Sequence, residues 1–177
     1  MILIVEISIE DARRLGMDVL ESNGITKETA SVLTDHLVEA HCAGYTFAGL
    51  PRLLGLLDRL RAIPVDDLGR VDIVKESPSS AWIDGRGNLG YLTCQRAIEL
   101  GIKKSVDSPI VTIAAYNSHY SGRLGYYTEQ AARAGLVALH FSSAAPIVAP
   151  AGSTAPILGT NPICAAFPTS GEPVVCD

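Results

Sequence analysis

Residues 110–127 read IVTIAAYNSHYSGRLGYY and change from an apolar run to a polar, glycine-rich segment. The apolar run at 110–115 has the length and composition of a buried strand. The polar segment at 117–127 predicts a loop that leads into a helix over 126–134. Gly135 then stands where glycine commonly ends a helix. This succession of strand, loop and helix predicts an α/β fold.

The neighbouring segments continue the alternation of strands and helices. Short strand patterns occupy 71–74 and 81–84, and an amphipathic helix pattern follows at 91–104. Residues 84–88 (DGRGN) have the composition of a turn. A further strand pattern follows at 136–141. Strands that alternate with helices of this length favour a mixed α/β sheet over a sandwich.

The first third of the chain is helical. Apolar residues recur at three- and four-residue spacing in 7–21 and 27–42, and a leucine-rich pattern covers 50–62. We expect an N-terminal helical arm over residues 1–69 and the first part of an α/β sheet domain over 70–177.

The last 42 residues, 136–177, contain two acidic residues and no Lys or Arg, yet hold six of the ten prolines. Low charge predicts burial, and frequent proline predicts fixed, irregular loops. The sequence ends inside a strand pattern at 174–177, and domains seldom end in a core strand. We therefore expect this chain to be the N-terminal portion of a longer protein.

The 177-residue chain carries 14 basic and 19 acidic residues, a net charge of −5, which argues against a nucleic-acid partner. A hydrophobic content of 47% excludes intrinsic disorder. No apolar run approaches the roughly 20 residues that span a bilayer, so no membrane segment is expected. The four cysteines are far apart and form no C-x-x-C pair, which predicts reduced thiols in the cytoplasm and no bound metal.

Common nucleotide and hydrolase signatures are absent, including G-x-G-x-x-G, the P-loop, G-x-S-x-G and H-E-x-x-H. The donors and glycines of 117–127 suit an anion such as phosphate at a helix N-terminus, or equally a hydrogen-bonded turn. The proline-rich segment at 146–168 is, on composition alone, a rigid loop.

Four motifs in one order resemble the malate/L-lactate/ureidoglycolate dehydrogenase family. Residues 81–90 resemble its D-G-x-x-x-x-G turn, and 117–127 resemble N-[SN]-x-H-x-G-x-x-G-Y-Y. Residues 148–163 resemble V-x-P-x-G-x-x-x-x-x-G-T-N-P, and Asp177 matches the first residue of D-x-A-T-S. The resemblance implies a non-Rossmann fold that binds NAD or NADP.

The resemblance also implies roles for single residues. Thr160, within G-T-N-P, would approach the substrate, and Arg52 matches the arginine of the family's S-H-G-x-x-R motif. A guanidinium fork matches a carboxylate bidentately, and the alternative to this role is a solvated helix charge, over which the family match favours binding. The residues expected to contact the cofactor are His119, Tyr120, Ser121, Gly122, Arg123, Leu124 and Asp177.

Two departures from the family pattern affect the expected proton transfer. Phe47 and Ala48 stand where the family has Ser-His, and neither side chain exchanges protons. Tyr120 stands where the family's N-[SN]-x-H motif has its histidine, and His119 is one residue earlier. A tyrosine pKa of about 10 suits donation during reduction, whereas His119 has the more convenient pKa. Tyr120 and His119 are the catalytic candidates, and residues 45–46 are near enough in sequence to substitute.

The resemblance implies an NAD(P)-dependent oxidoreductase that acts at the 2-position of a small 2-hydroxy or 2-oxo acid, or of a cyclic imino acid. The expected partners are that carboxylate substrate and a second copy of the chain in a homodimer. A non-catalytic paralogue or fragment that keeps the fold and dimer contacts is the alternative. An imine reductase that needs no Ser-His pair is a third interpretation.

Overall fold

The computed structural model describes residues 6–64 and 67–177. The chain divides into two compact units, one ending at Arg123 and the other beginning at Leu124. The first unit holds the N-terminal helices and a three-stranded sheet, and the second holds one α-helix and another three-stranded sheet. This division does not coincide with the expected boundary at 69/70, which stays a prediction about domains.

The helices of the N-terminal region follow the sequence pattern. Helix α1 covers Ile9–Ser22, α2 covers Lys27–Cys42 and α3 covers Leu53–Arg61. Two short 3-10 turns, Thr46–Ala48 and Leu50–Arg52, connect α2 to α3. Among the described residues, no helix has both the length and the apolarity to cross a membrane.

Hydroxyl caps and a leucine core stabilise these helices. The Ser8 hydroxyl accepts a hydrogen bond from the backbone N–H of Asp11, and the Thr26 hydroxyl accepts one from Thr29, at the starts of α1 and α2. Helix α3 buries four of its five leucines and leaves its arginines exposed. The core side chains include Leu20, Leu33, Leu37, Leu53, Leu56, Leu57, Leu60, Leu89 and Tyr91.

The first sheet is mixed, as predicted. Strand β1 (Asp72–Ser77) pairs antiparallel with β2 (Ser80–Asn88), and β2 pairs parallel with β3 (Thr112–Ser118). Helix α4 (Gly90–Ser105) is the crossover between β2 and β3 that parallel pairing requires.

The expected turn at 84–88 is instead the end of β2, where the parallel pairing with β3 shifts register. Arg86 and Gly87 adopt left-handed backbone angles, with φ of +52° and +74°. The Arg86 side chain is fixed by Asp67, 2.8 Å from its Nε, and by Asp72, 3.0 Å from its Nη1. Turn-forming residues therefore make a bulge within a strand, because the side-chain contacts hold the chain in the sheet.

The strand expected at 110–115 begins two residues later and is mostly exposed, with Ile110 78% exposed. Strand β3 lies at the edge of the sheet order β1-β2-β3. Ile113 packs against a cluster that includes Leu100 of α4, so one face of the strand is covered. The expectation of a fully buried strand was wrong because the opposite face has no covering layer among the described residues of this unit.

The second unit begins with α5 (Gly125–Arg133), which confirms the predicted helix. Its end is also as predicted, since Gly135 has a φ of +82° and donates its N–H to Ala132. The three strands β4 (Ala138–Phe141), β5 (Ile163–Phe167) and β6 (Val174–Cys176) form an antiparallel sheet in the order β4-β5-β6.

The predicted burial of 136–177 is wrong for this chain. Cys164 and Ala166 of β5 are fully buried, but the opposite face of the sheet is exposed. One helix can cover only one face of a sheet, so the remaining apolar side chains face solvent despite the low charge of the segment. These exposed side chains include Val137, Leu139, Phe141, Ile163, Phe167 and Val174.

Candidate active site

A cleft of about 640 Å³ opens on the first unit beside α3. Its walls come from the 3-10 turns, α3, the residue before α4 and the loop after β3. The volume falls in the range typical of small-molecule sites. The lining residues are Phe47, Pro51, Arg52, Gly55, Leu56, Arg59, Leu89, His119 and Tyr120.

The loop after β3 is held at the cleft by backbone hydrogen bonds. The N–H of His119 donates to the carbonyl of Asn88 at 3.0 Å, and the N–H of Gly90 donates to the carbonyl of Tyr120 at 3.1 Å. A Cβ at Gly90 would clash with the His119 carbonyl and with Ser121. The glycine therefore allows the loop to lie directly against the start of α4.

A buried histidine of α2 holds the other end of this loop. Nε2 of His36 accepts the backbone N–H of Arg123 at 3.0 Å, and its ring packs edge-on against Tyr91 with centroids 4.6 Å apart. Burial, with a smaller contribution from the Arg123 charge, lowers the pKa of His36 to about 3. His36 is therefore neutral at physiological pH and able to accept this hydrogen bond.

Arg52 and Tyr120, both singled out from the sequence, lie together in the cleft. The Arg52 guanidinium carbon is 4.1 Å from the Tyr120 ring centroid, a cation–π arrangement. Partial burial raises the pKa of the Tyr120 hydroxyl, and the Arg52 charge partly opposes that rise. The Tyr120 ring also contacts the buried Tyr91 ring, with centroids 5.9 Å apart.

His119 contacts a second arginine, which the sequence analysis did not single out. Nη2 of Arg59 is 2.7 Å from Nδ1 of His119. Burial and the adjacent Arg59 charge both lower the pKa of His119. The ring therefore favours its neutral form and suits proton acceptance better than donation. Arg59 follows Arg52 by seven residues, about two helical turns, and that spacing was the available signal.

The departure at the family's Ser-His position is visible in the structure. Phe47 is 71% exposed and lines the cleft, whereas Ala48 is buried. The nearby Tyr45 ring packs against Phe47 with centroids 6.4 Å apart and lies 5.4 Å from the Arg123 guanidinium. This part of the cleft wall is apolar where the family has an acid/base pair.

The remaining candidates, Thr160, Leu124 and Asp177, belong to the second unit. Thr160 is exposed in an irregular segment, next to Asn161, whose φ is +42°. Leu124 is buried. The Asp177 carboxylate accepts the N–H of Gly125 at 2.8 Å, a favourable place for a negative charge at the start of α5. The substrate role of Thr160 and the cofactor roles of Leu124 and Asp177 stay predictions.

The described parts of the chain contain no candidate metal centre. No group of three or more His, Cys, Asp or Glu side chains converges in a way that could hold an ion.

Comparison with known proteins agrees with the motif resemblance. A family model described as malate/L-lactate dehydrogenase matches residues 7–177. The malate dehydrogenase of Pyrococcus horikoshii is 36% identical over 159 residues, which cover 90% of this chain and 44% of that protein. The L-sulfolactate dehydrogenase of Methanocaldococcus jannaschii is 35% identical over 158 residues, covering 89% and 46% respectively.

Solved structures show the same similarity. The malate dehydrogenase of Pyrococcus horikoshii superposes with a TM-score of 0.90 at 32% identity, covering 98% of this chain and 50% of that one. A delta1-piperideine-2-carboxylate reductase from Pseudomonas syringae gives a TM-score of 0.85 at 26% identity, covering 97% and 52%. The fold is thus that of an oxidoreductase family. The chain belongs to the malate/L-lactate dehydrogenase family and spans about half the length of these relatives.

Proposed function

We propose that this chain supplies the substrate cleft of an NAD(P)-dependent oxidoreductase. The reaction transfers hydride to or from the 2-position of a small 2-hydroxy or 2-oxo acid, or of a cyclic imino acid. The observation that carries the proposal is the Arg52 guanidinium lying 4.1 Å over the Tyr120 ring in the cleft. This arrangement joins a carboxylate-binding group to a proton donor.

Arg52 binds the substrate carboxylate in this proposal. Among the described residues, no Asp or Glu forms an ion pair with it, so its charge is not already neutralised by a carboxylate of the chain. The face of its guanidinium rests on Tyr120, which orients the planar group. An oriented guanidinium recognises a carboxylate through two parallel hydrogen bonds.

Tyr120 donates the proton when the substrate is reduced. Its raised pKa keeps the hydroxyl protonated at neutral pH, and the Arg52 charge favours the phenolate left after donation. His119 is the alternative proton carrier. Its lowered pKa suits the neutral ring, which accepts a proton during oxidation of a hydroxy acid.

The cleft fits a nicotinamide ring beside a small acid. Its volume of about 640 Å³ leaves room beyond an acid of three or four carbons, and the rings of His119 and Tyr120 offer flat contact surfaces. Residues 119–124 and Asp177 are the proposed contacts with NAD or NADP, and Thr160 the additional substrate contact. When bound, this cofactor supplies or accepts the hydride.

The cyclic imino acid is a second candidate substrate because of Phe47 and Ala48. A protonated iminium already carries the proton that a keto group must receive from the enzyme. Such a substrate does not need the Ser-His pair that Phe47 and Ala48 replace. The apolar wall at Phe47 also suits a substrate with an aliphatic ring. One structural neighbour is a delta1-piperideine-2-carboxylate reductase.

We further propose that the protein acts in the cytoplasm as a homodimer. Large apolar side chains exposed on β4 and β5, such as Leu139, Phe141 and Ile163, support association with another protein surface.

An assay of the purified gene product tests the function. Oxidation of NADH and of NADPH is followed with 2-oxo acids and with cyclic imino acids in turn. Turnover of either class supports the proposal and identifies the substrate and cofactor. Absence of turnover with every pair, in a protein that is folded by circular dichroism, would contradict it and favour the non-catalytic alternative.

A further inference from the structure

Two arginines line the same cleft from one side of a helix. Arg52 ends the second 3-10 turn, and Arg59 lies on α3 seven residues later. At 1.5 Å per residue, their Cα atoms are about 10 Å apart along the helix and point to nearly the same side. Gly55 lies between them with open space beside its Cα, and Leu56 is the other cleft-lining residue between the two cations.

Arg59 differs from the neighbouring arginines in its partners. Arg61 pairs with Asp58 and also donates to Asn23. Arg59 instead contacts the His119 ring, and within the described residues no carboxylate forms an ion pair with it. The lowered pKa of His119 keeps that ring neutral, so the ring does not add to or cancel the charge of Arg59.

The cleft therefore presents two positive charges, and among the residues that the structure describes no carboxylate forms an ion pair with either. One carboxylate on the substrate satisfies Arg52 and leaves Arg59 unmatched. A second acidic group on the same molecule, at the opposite end from the first, matches both guanidinium groups. Electrostatic complementarity of this kind determines specificity among ligands of similar shape.

We propose that Arg59 is a specificity-determining residue that binds a second acidic group of the substrate. The site then takes a 2-hydroxy or 2-oxo acid that ends in a carboxylate or sulfonate, and discriminates against one that ends in a methyl group. This inference rests on the proposed function, in which Arg52 holds the carboxylate next to the reacting carbon. We place the second group on the substrate rather than on a cofactor phosphate because Arg52 and Arg59 line one cleft.

Two four-carbon acids provide the test, (S)-malate and (S)-2-hydroxybutyrate, which differ in a terminal carboxylate against a terminal methyl group. Their dissociation constants are measured by calorimetry on the purified gene product, with and without NADH or NADPH. Arg59→Gln removes the charge, and Arg59→Lys keeps it without the fork. Arg61→Gln is the matched control on the same helix, outside the cleft lining.

The wild-type protein should bind malate more tightly than 2-hydroxybutyrate. Loss of one charge-assisted contact in Arg59→Gln should lower the affinity for malate by about ten- to a hundredfold and leave the affinity for 2-hydroxybutyrate unchanged. Arg59→Lys should retain part of the preference, and it serves as the test if the glutamine variant does not fold. Arg61→Gln should match the wild type for both acids.

Equal affinity of the wild type for both acids, or an unchanged preference in Arg59→Gln, would overturn the role of Arg59 and leave the proposed function standing. A loss of NADH or NADPH affinity in Arg59→Gln, with malate affinity intact, would assign Arg59 to a cofactor phosphate and also overturn the inference. Failure of the wild type to bind either acid under any condition would overturn the proposed function and this inference together.

Discussion

In the first unit most leucines of α1, α2 and α3 are buried, whereas in the second unit most large apolar side chains of β4, β5 and β6 are exposed. Three helices and a sheet provide enough covering surface for the first set. A single helix covers one face of the second sheet and leaves the other without a layer. Apolar composition is similar in both regions, so the difference shows that burial depends on how many layers surround an element.

The units also differ in where their polar and charged side chains lie. The first unit brings Arg52, Arg59, His119 and Tyr120 into one cleft. The second unit uses Asp177 to satisfy the start of its own helix. The proposed chemistry of this chain is therefore concentrated in the first unit, and five predictions test these contrasts.

The largest effect is expected for Tyr120→Phe, which removes one hydroxyl and keeps the ring under Arg52. Loss of a general acid should lower kcat by about 10²–10⁴-fold while cofactor affinity holds. Steady-state kinetics in the direction of reduction and a direct titration of NADH or NADPH measure the two quantities. His119→Gln is the companion variant. A normal kcat in Tyr120→Phe with a strongly reduced kcat in His119→Gln would transfer the role to His119.

The contrast in burial is tested by one leucine from each unit. Leu37 is fully buried, so Leu37→Ala should lower the free energy of unfolding by about 2–5 kcal/mol. Leu139 is 61% exposed, so Leu139→Ala should change it by less than about 0.5 kcal/mol. Urea denaturation of both variants at low protein concentration measures the difference.

The exposed face of the second unit further predicts that the chain associates and that Leu139→Ala weakens the association. Sedimentation velocity over a range of concentrations measures both. Equal losses of stability in Leu37→Ala and Leu139→Ala, or a wild-type chain that stays monomeric, would contradict the assigned exposure.

Arg52→Ala should weaken substrate binding far more than cofactor binding. Loss of a charge-assisted bidentate contact costs about 1.5–3 kcal/mol, or roughly ten- to over a hundredfold in kcat/KM. Arg52→Lys should recover only part of the loss because an ammonium lacks the fork. Unchanged substrate kinetics in Arg52→Ala would show that Arg52 is a surface charge without a role in binding.

A gradual effect concerns the pH dependence of stability through His36. Its pKa is about 3 in the folded chain and about 6.5 when unfolded, so below pH 6.5 the unfolded chain binds a proton that the folded chain does not. Stability should therefore fall as pH decreases from 6.5 towards 3, by at most about 1.4 kcal/mol per pH unit from this group. Above pH 6.5 this group contributes no pH dependence.

Chemical denaturation at several pH values measures this slope. His36→Gln should flatten it, whereas His41→Gln, at the exposed end of the same helix, should retain it. The prediction is wrong if the wild-type and His36→Gln chains lose stability with falling pH at the same rate.

The sequence-based expectations were accurate where the interactions join residues close together in the sequence, and they failed where the interactions join distant residues. Helix α2 has the predicted bounds because its cap at Thr26 and its apolar periodicity lie within the helix itself. Arg52 and Tyr120 were found through motifs, and the structure places them in contact. Arg59 and His36 were missed because their contacts, with His119 and Arg123, join residues 60 and 87 positions apart.

The sequence by itself determined the helices, the order of the strands and helices, the family and the loop that carries His119 and Tyr120. Capping, periodicity and turn residues act over a few positions, so they can be recognised in a linear pattern. Tertiary structure decided which apolar faces are covered, how 84–88 became a bulge in β2, and which cation contacts His119. These features depend on distant segments packing together, and no local pattern contains that information.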